Sequence, residues 1–161
     1  MFFDNIIGQP AAVNIFRQVL DSNRLSHAYI FLGPSGVGKF LFARTLARIL
    51  MCDPQGHPVG ETKSADWTQK GCGVCRSCKW IEKNCHPNLK ITEVEKGSQK
   101  ISIDAVINIE KELMLMPFSK THRVFIVNEA ERMSEEAFNA FLKTLEEPVK
   151  DTVIILVTSN L

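Results

Sequence analysis

The sequence predicts an α/β fold, a parallel sheet with helices on both faces. Short apolar runs that suit strands alternate with stretches of helical periodicity, which is the pattern of strands joined by crossover helices. Residues 123–127 and 152–157 are apolar almost throughout, as strands buried on both faces of a sheet are. With 161 residues, 45% of them hydrophobic, the chain is long enough for one such domain with its own core.

The predicted helices start at a proline, at a capping serine or after a glycine-rich turn. Their apolar residues recur at spacings of three and four, so each helix has an apolar side. The helices are predicted at residues 10–22, 41–52, 102–116 and 134–147, and the strands at residues 28–32, 89–94, 123–127 and 152–157. The apolar side of the last helix consists of Ala137, Phe138, Phe141, Leu142 and Leu145.

The glycine-rich turn is the first candidate site. It lies between a predicted strand and a predicted helix and consists of Gly33, Pro34, Ser35, Gly36, Val37, Gly38 and Lys39. In this context a G-x-x-x-x-G-K turn binds phosphate, because glycines let backbone N–H groups face the ligand and the helix dipole adds positive charge. Lys39 is expected to reach the β- and γ-phosphates of ATP, or the β-phosphate of ADP. The alternative is a glycine-rich turn with an incidental lysine.

Two positions that should hold a metal ion depart from the pattern of an ATPase. A Ser or Thr that binds Mg²⁺ normally follows the lysine, but Phe40 has no oxygen and Thr45 lies five residues further on. The third predicted strand ends in Asn128 and Glu129, where ATPases carry Asp and Glu. Asn160, after the next strand, either contacts a γ-phosphate or caps the strand. We expect weak or vestigial nucleotide binding, a degenerate catalytic site and no hydrolysis.

Residues 53–88 differ from the rest of the chain, because polar residues, glycines and prolines dominate them. Such a segment buries too little apolar surface to fold alone. Cys72, Cys75 and Cys78 lie within it in two overlapping C-x-x-C spacings, and Cys52 precedes it. Four thiolates form a closed tetrahedral zinc site, so the sequence predicts a structural zinc ion that orders this insertion.

The fourth ligand and the metal itself leave alternatives. Cys85 and His86 compete with Cys52 for the fourth position. Cys52 is favoured because it lies at the other end of the insertion, which then spans residues 52–86. Reduced cysteines without a metal are the remaining alternative, since cytosolic cysteines are rarely paired in disulfides.

Charge and composition exclude several classes of protein. The formal net charge is +1, so no general basic field attracts nucleic acid. The first residues lack the basic and apolar regions of a signal peptide, and no apolar stretch approaches the length of a membrane span. We therefore expect a cytoplasmic protein without membrane contact. The sequence stops directly after an apolar run, as a fragment of a longer chain would.

Several motifs together are specific enough to indicate a family. They are Ile7-Gly8-Gln9, His27-Ala28-Tyr29, the cysteine run 72–78, His86-Pro87, Asn128-Glu129-Ala130, and the run 139–148, which reads Asn-Ala-Phe-Leu-Lys-Thr-Leu-Glu-Glu-Pro. Over essentially its whole length the chain resembles the bacterial DNA polymerase III clamp-loader ATPase domains, which belong to the AAA+ class. The cysteine insertion and the run 139–148 are the most specific parts of this resemblance.

The resemblance implies an N-terminal AAA+ domain over residues 1–161, with C-terminal lid and collar domains outside this sequence. It implies zinc on the cysteines and an adenine contact near Ile7 and Gly8. It also implies an assembly of five related subunits that opens a ring-shaped sliding clamp and places it on primer-template DNA.

Within that family, gamma/tau subunits hydrolyse ATP, whereas the delta-prime type does not. The latter acts as a rigid stator and presents an arginine to a neighbouring nucleotide, and that arginine would lie beyond Leu161. Because Phe40 and Asn128 break the catalytic pattern, the chain resembles the delta-prime type, with gamma/tau and delta subunits as partners. The alternatives are an active gamma/tau-type ATPase and a free-standing zinc-containing DNA-binding module.

Overall fold

The computed structural model describes residues 6, 8–53, 71–115 and 121–160. The strands are β1 (Ala28–Leu32), β2 (Leu89–Thr92), β3 (Arg123–Val127) and β4 (Thr152–Thr158). The helices are α1 (Pro10–Asp21), α2 (Lys39–Leu50), α3 (Arg76–Glu82), α4 (Ile103–Met114) and α5 (Glu135–Glu146), and a 3-10 helix covers Ala130–Arg132. Among the described residues, no helix combines the length and the apolar character that crossing a bilayer requires.

The strands form one parallel sheet in the order β1-β4-β3-β2, as the alternation of apolar runs and helices predicts. Alternate residues of the central strands serve two cores, because successive side chains point to opposite faces of a sheet. On one face Val124 of β3 packs in a core with Phe42 of α2. On the other face Phe125 packs in a core with Val106 of α4 and Phe141 of α5. The prediction of helices on both faces is therefore confirmed.

Most predicted elements are confirmed within a few residues, and the part of the chain that the structure describes contains two additional short elements. Helix α2 begins at Lys39 rather than at residue 41, because the last residue of the glycine-rich turn already has helical geometry. The 3-10 helix after β3 and helix α3 are not predicted from the sequence. Helix α3 lies in the loop-rich segment and begins after Cys75, whose Sγ accepts a hydrogen bond from the N–H of Cys78 at 3.4 Å.

The apolar side predicted for α5 is wider than the side that is buried. Ala137 and Phe141 are buried against the sheet, as expected. Phe138 and Leu142, predicted on the same side, are 47% and 39% exposed. The spacing of apolar residues defines a direction around a helix, whereas the position of the sheet decides how much of that side is covered.

Arg123 holds the end of α4 against the first residue of β3. Its guanidinium is buried, and Nη1 donates hydrogen bonds to the carbonyl oxygens of Leu113 and Leu115, both at 2.8 Å. The last carbonyls of a helix have no partner within the helix and carry partial negative charge. Arg123 supplies both the donors and the positive charge that this end of α4 requires.

Replacing Arg123 with Met is therefore expected to lower the free energy of unfolding by about 1–3 kcal/mol, because the carbonyl oxygens of Leu113 and Leu115 lose their hydrogen-bond donor. Urea unfolding of the variant and the parent measures this difference. Arg24→Met, at an exposed position before β1, is the matched control and should change stability by no more than about 0.5 kcal/mol. Equal losses in the two variants would contradict this role of Arg123.

Candidate phosphate-binding and metal sites

Strand β1 leads into the glycine-rich turn, residues 33–39, which we call the phosphate loop. Gly36 and Gly38 have φ angles of 81° and 88°, a left-handed conformation that residues with a Cβ rarely adopt. Gly38 is the N-cap of α2, and no side-chain hydrogen bond from the described residues caps this helix. The N–H groups at the start of α2 are thus available to an anion, as in loops that bind phosphate.

Lys39 lies inside the curve of the phosphate loop. Its Nζ donates hydrogen bonds to the carbonyl oxygens of Gly33 at 2.6 Å and of Pro34 at 2.7 Å. These contacts hold the ammonium group against the backbone at the start of the loop. A phosphate bound there would meet both the backbone donors and this charge.

A cavity of about 320 Å³ lies between the phosphate loop and the ends of the two central strands. The loop contributes Lys39 and Phe40 to its lining, and the chain after β3 contributes Asn128 and Glu129. The predicted phosphate-binding and acidic residues therefore lie at one site, since the carboxyl ends of parallel strands share an edge of the sheet.

Other predicted residues lie elsewhere. Asn160 lines an adjacent cavity with Ile30 and Phe138 rather than the cavity at the phosphate loop. Gly8 is exposed and lines none of the cavities described here. Ile7, the other predicted adenine contact, falls outside the described residues.

The metal-binding hydroxyl of an active phosphate loop has no counterpart at Phe40. This ring is partly buried and packs against the core that includes α2. The guanidinium carbon of Arg44 lies 6.0 Å from the centroid of the ring. Thr45 does not supply the missing oxygen, because it is buried and its hydroxyl donates to the carbonyl oxygen of Leu41 at 2.8 Å. The position next to Lys39 is therefore apolar in structure as well as in sequence.

The two residues that follow β3 are each engaged by a side chain. Asn128 Nδ2 donates a hydrogen bond to Glu93 Oε1 at 3.2 Å. Glu129 adopts a left-handed conformation with φ of 54°, and its Oε2 pairs with Arg132 Nη1 at 2.9 Å. The carboxylate of Glu129 is thus paired with a neighbouring cation.

Three further polar residues, Glu131, Thr158 and Ser159, line the same cavity, and the sequence analysis does not identify them as site residues. Glu131 lies in the 3-10 helix after β3, and Ser159 follows β4. The hydroxyl of Ser159 donates a hydrogen bond to Glu131 Oε1. The one sequence signal for Glu131 is its place two residues after Glu129, beyond the end of a buried strand.

The four predicted cysteines form a cluster at the end of α2. The sulfur atoms of Cys52, Cys72, Cys75 and Cys78 all lie within 4.8 Å of one another. In a tetrahedral site with Zn–S bonds of about 2.3 Å, sulfurs are separated by roughly 3.8 Å. The Sγ atoms of Cys72 and Cys78 are 3.9 Å apart, and the N–H of Cys75 donates to the Sγ of Cys72 at 3.2 Å. These four residues could hold a metal ion, and the donor set suits zinc.

The crowding of the sulfur atoms shifts their pKa values in opposite directions. Hydrogen bonds with the thiols of Cys75 and Cys78, together with burial, raise the pKa of Cys52. Hydrogen bonds from the thiols of Cys52 and Cys78 lower the pKa of Cys75. A divalent cation would favour the thiolate form at all four positions, which is the chemistry of a structural zinc site.

The two alternative ligands lie outside this cluster. Cys85 is exposed, and its Sγ donates to the carbonyl oxygen of Trp80 at 3.5 Å. His86 is buried, but its Nδ1 accepts a hydrogen bond from the N–H of Asn88 at 3.0 Å. Cys52 is therefore the residue that completes the set with the run 72–78.

The parallel sheet and the phosphate loop together define the class of the fold. The first strand leads through a glycine-rich loop into a helix, and the polar ends of two adjacent strands face that loop. This is the arrangement of the P-loop class of α/β folds.

A family model described as "DNA polymerase III, delta subunit" matches residues 8–161. The chain belongs to this family of DNA polymerase III clamp-loader subunits.

Similar proteins carry the names of several clamp-loader subunits. The chain is 34% identical over 158 residues to DNA polymerase III subunit gamma/tau of Mycobacterium tuberculosis, which covers 98% of this chain and 25% of that protein. It is 32% identical over 153 residues to subunit delta' of Bacillus subtilis, which covers 94% of this chain and 42% of that protein. The chain thus spans less than half the length of these relatives.

Among solved structures, a gamma-subunit-related protein of Thermotoga maritima matches with a TM-score of 0.48 and 21% sequence identity. The match covers 91% of this chain and 39% of that one.

Proposed function

We propose that the chain is the phosphate-loop domain of a non-hydrolysing, delta-prime-type subunit of the DNA polymerase III clamp loader. The observation that supports this most directly is the replacement of two metal-binding groups in one cavity, by Phe40 and by Asn128. The amide of Asn128 can hydrogen-bond a metal-bound water but brings no negative charge. The phenyl ring of Phe40 offers neither a hydrogen-bonding group nor a charge. Two losses that affect the same ion argue against catalysis more strongly than either alone.

The contacts around the site support this proposal. Glu129 occupies the position of the base that would polarise an attacking water, yet its carboxylate is paired with Arg132 at 2.9 Å. Asn128 is turned toward Glu93. The phosphate loop itself keeps its left-handed glycines and Lys39, so weak binding of ATP or ADP is consistent with the structure.

The remainder of a nucleotide would lie on the other side of the phosphate loop. A largely apolar cavity of about 390 Å³ extends from Lys39 between β1 and α1 and is lined by Phe16 and Phe31. Aromatic and aliphatic side chains suit a flat purine base. The lining includes Gln9 but not Gly8, so the adenine contact near Ile7 and Gly8 remains an expectation from the family resemblance.

We propose that the four-cysteine cluster binds a structural zinc ion. A closed set of four sulfurs leaves no position for a substrate, so the ion would order the chain and take no part in a reaction. Its place directly after α2 indicates that it holds residues 71–78 against the end of that helix.

The proposed role determines the partners. The subunit would assemble with gamma/tau and delta subunits in the cytoplasm, and act through them on the sliding clamp and primer-template DNA. In such an assembly its rigid domain would support ATP hydrolysis in a neighbouring subunit. The net charge of +1 agrees with a contact to DNA that is made mainly by the assembly.

The experiment that tests this function measures ATP binding to the full-length subunit with and without Mg²⁺. We expect Mg²⁺ to change the affinity of the parent protein by less than about threefold. The variant with both Phe40→Thr and Asn128→Asp regains metal-binding groups and is expected to gain a Mg²⁺ dependence of about tenfold or more. Tight Mg²⁺-dependent binding by the parent, lost in Lys39→Ala, would contradict the proposal.

An active gamma/tau-type ATPase is the second candidate. The observation that favours it is the 34% identity to gamma/tau subunits, together with an intact lysine in the phosphate loop. The binding experiment separates the two candidates, because only an active site requires the ion to hold the phosphates.

A further inference from the structure

Glu131 brings a second carboxylate into the cavity beside the phosphate loop. The left-handed conformation of Glu129 turns the chain into the 3-10 helix, and Glu131 then lies against the end of β4. There the hydroxyl of Ser159 donates a hydrogen bond to Glu131 Oε1. This carboxylate is therefore held at the cavity by a residue 28 positions away in sequence.

The hydrogen-bond partners of Glu131 are neutral, whereas the carboxylate of Glu129 is paired with a cation. Lys39 is engaged by two carbonyl oxygens, and Glu129 is paired with Arg132. Glu131 forms no salt bridge with any residue that the structure describes. Glu131 is exposed, and the slight burial that it has acts to raise its pKa, but hydrogen bonds from Ser159, Thr158 and the backbone outweigh this and lower the pKa. The carboxylate is therefore negatively charged at neutral pH; Lys39 lines the same cavity and Lys100 lines the neighbouring one, but neither forms a salt bridge with it.

The place of Glu131 in the cavity matches the far end of a nucleotide's phosphate chain. Lysines at this position of a phosphate loop contact the β- and γ-phosphates. The residues after β3 and β4 line the cavity together with Lys39, so a γ-phosphate held by Lys39 would lie in the same cavity as Glu131. In an active site a metal ion offsets the charge there, but Phe40 and Asn128 remove two of the groups that would hold it.

We propose that Glu131 makes this site discriminate against a γ-phosphate, so that the phosphate loop accepts a nucleoside diphosphate more readily than a triphosphate. This inference rests on the proposed function, in which the loop binds nucleotide without a well-held metal ion. A triphosphate extends one more charged group toward Glu131, whereas a diphosphate ends beside Lys39. Ser159 contributes by keeping the carboxylate at the cavity.

The test compares the affinities of ATP and ADP, measured by calorimetry on the full-length subunit without divalent cations. We expect the parent protein to bind ADP more tightly than ATP. Glu131→Gln keeps the shape and removes the charge, so the affinity for ATP is expected to rise roughly fivefold to tenfold and that for ADP by less than about twofold. Glu146→Gln makes the same change of net charge at an exposed position at the end of α5 and should leave both affinities unchanged.

A second variant covers the case in which Glu131→Gln fails to fold, as judged by thermal unfolding. Ser159→Ala releases the carboxylate and is expected to shift the preference toward ATP by about twofold to fivefold. An unchanged ratio of ATP to ADP affinity in the folded variants would overturn the inference, as would the lack of binding of either nucleotide to the parent and the variants. The proposed function fails by a different result, tight Mg²⁺-dependent ATP binding by the parent, whatever the ratio.

Discussion

Replacing Cys75 with Ser is expected to abolish metal binding by the four-cysteine cluster and to lower the melting temperature by about 10 °C or more. Cys75 is fully buried, and its sulfur also caps α3 by accepting the N–H of Cys78. A structural zinc ion contributes on the order of 10 kcal/mol to the folding of isolated zinc peptides. A loss of even about 3 kcal/mol in a chain of this size shifts the melting temperature by roughly 6–12 °C.

Metal analysis of the purified protein and thermal unfolding with and without a chelator provide the measurement. Cys85→Ser is the matched control, because Cys85 is exposed and lies outside the cluster. It should retain one metal ion per chain and the melting temperature of the parent. Absence of metal from the parent, or an equal loss in both variants, would contradict the assignment of the cluster.

The second large effect is expected for Phe141→Ala in α5. This side chain is completely buried between α5 and the sheet, and its removal leaves a cavity. Truncation of a buried phenylalanine costs about 3–5 kcal/mol, which is a large part of the stability of a domain of this size. Urea unfolding measures the loss as a lower midpoint with an unchanged slope.

Phe138→Ala provides the control on the same helix. Phe138 is 47% exposed, so its removal leaves no closed cavity and is expected to cost no more than about 1 kcal/mol. Both variants change the helix propensity equally, since each replaces Phe with Ala within α5. The difference between them therefore reports burial alone. Similar losses would show that the sheet covers more of α5 than the structure indicates.

The elements that could be predicted from the sequence are those with local signals. Ser102 and Ser134 were expected to cap helices because of their place before apolar periodicity, and their hydroxyl oxygens accept the N–H groups of Ala105 and Ala137. Strands β3 and β4 could be predicted because their sequences are continuous apolar runs, which are typical of strands buried on both faces of a sheet. The glycine-rich turn could be identified because the strand before it and the helix after it could be predicted.

Site residues could be predicted only where their position follows directly from the strand that precedes them in the sequence. Asn128 and Glu129 follow β3 and therefore had to lie at the edge of the sheet near the phosphate loop. The contact between Glu131 and Ser159 joins segments 28 residues apart, and no local pattern specifies it. Asn160 shows the same limit. The residue that lines the cavity is its neighbour Ser159, and in an extended chain neighbouring side chains point in opposite directions.

Helix α2 determines the separation of the two sites. It begins at Lys39 of the phosphate loop and ends two residues before Cys52 of the cysteine cluster. Its 12 residues extend about 18 Å, and each residue turns the chain by about 100°. One inserted residue would rotate Lys39 and Cys52 relative to each other by about 100° and move them about 1.5 Å further apart. The length of α2 is thus constrained at both ends, by the phosphate loop and by the cysteine cluster.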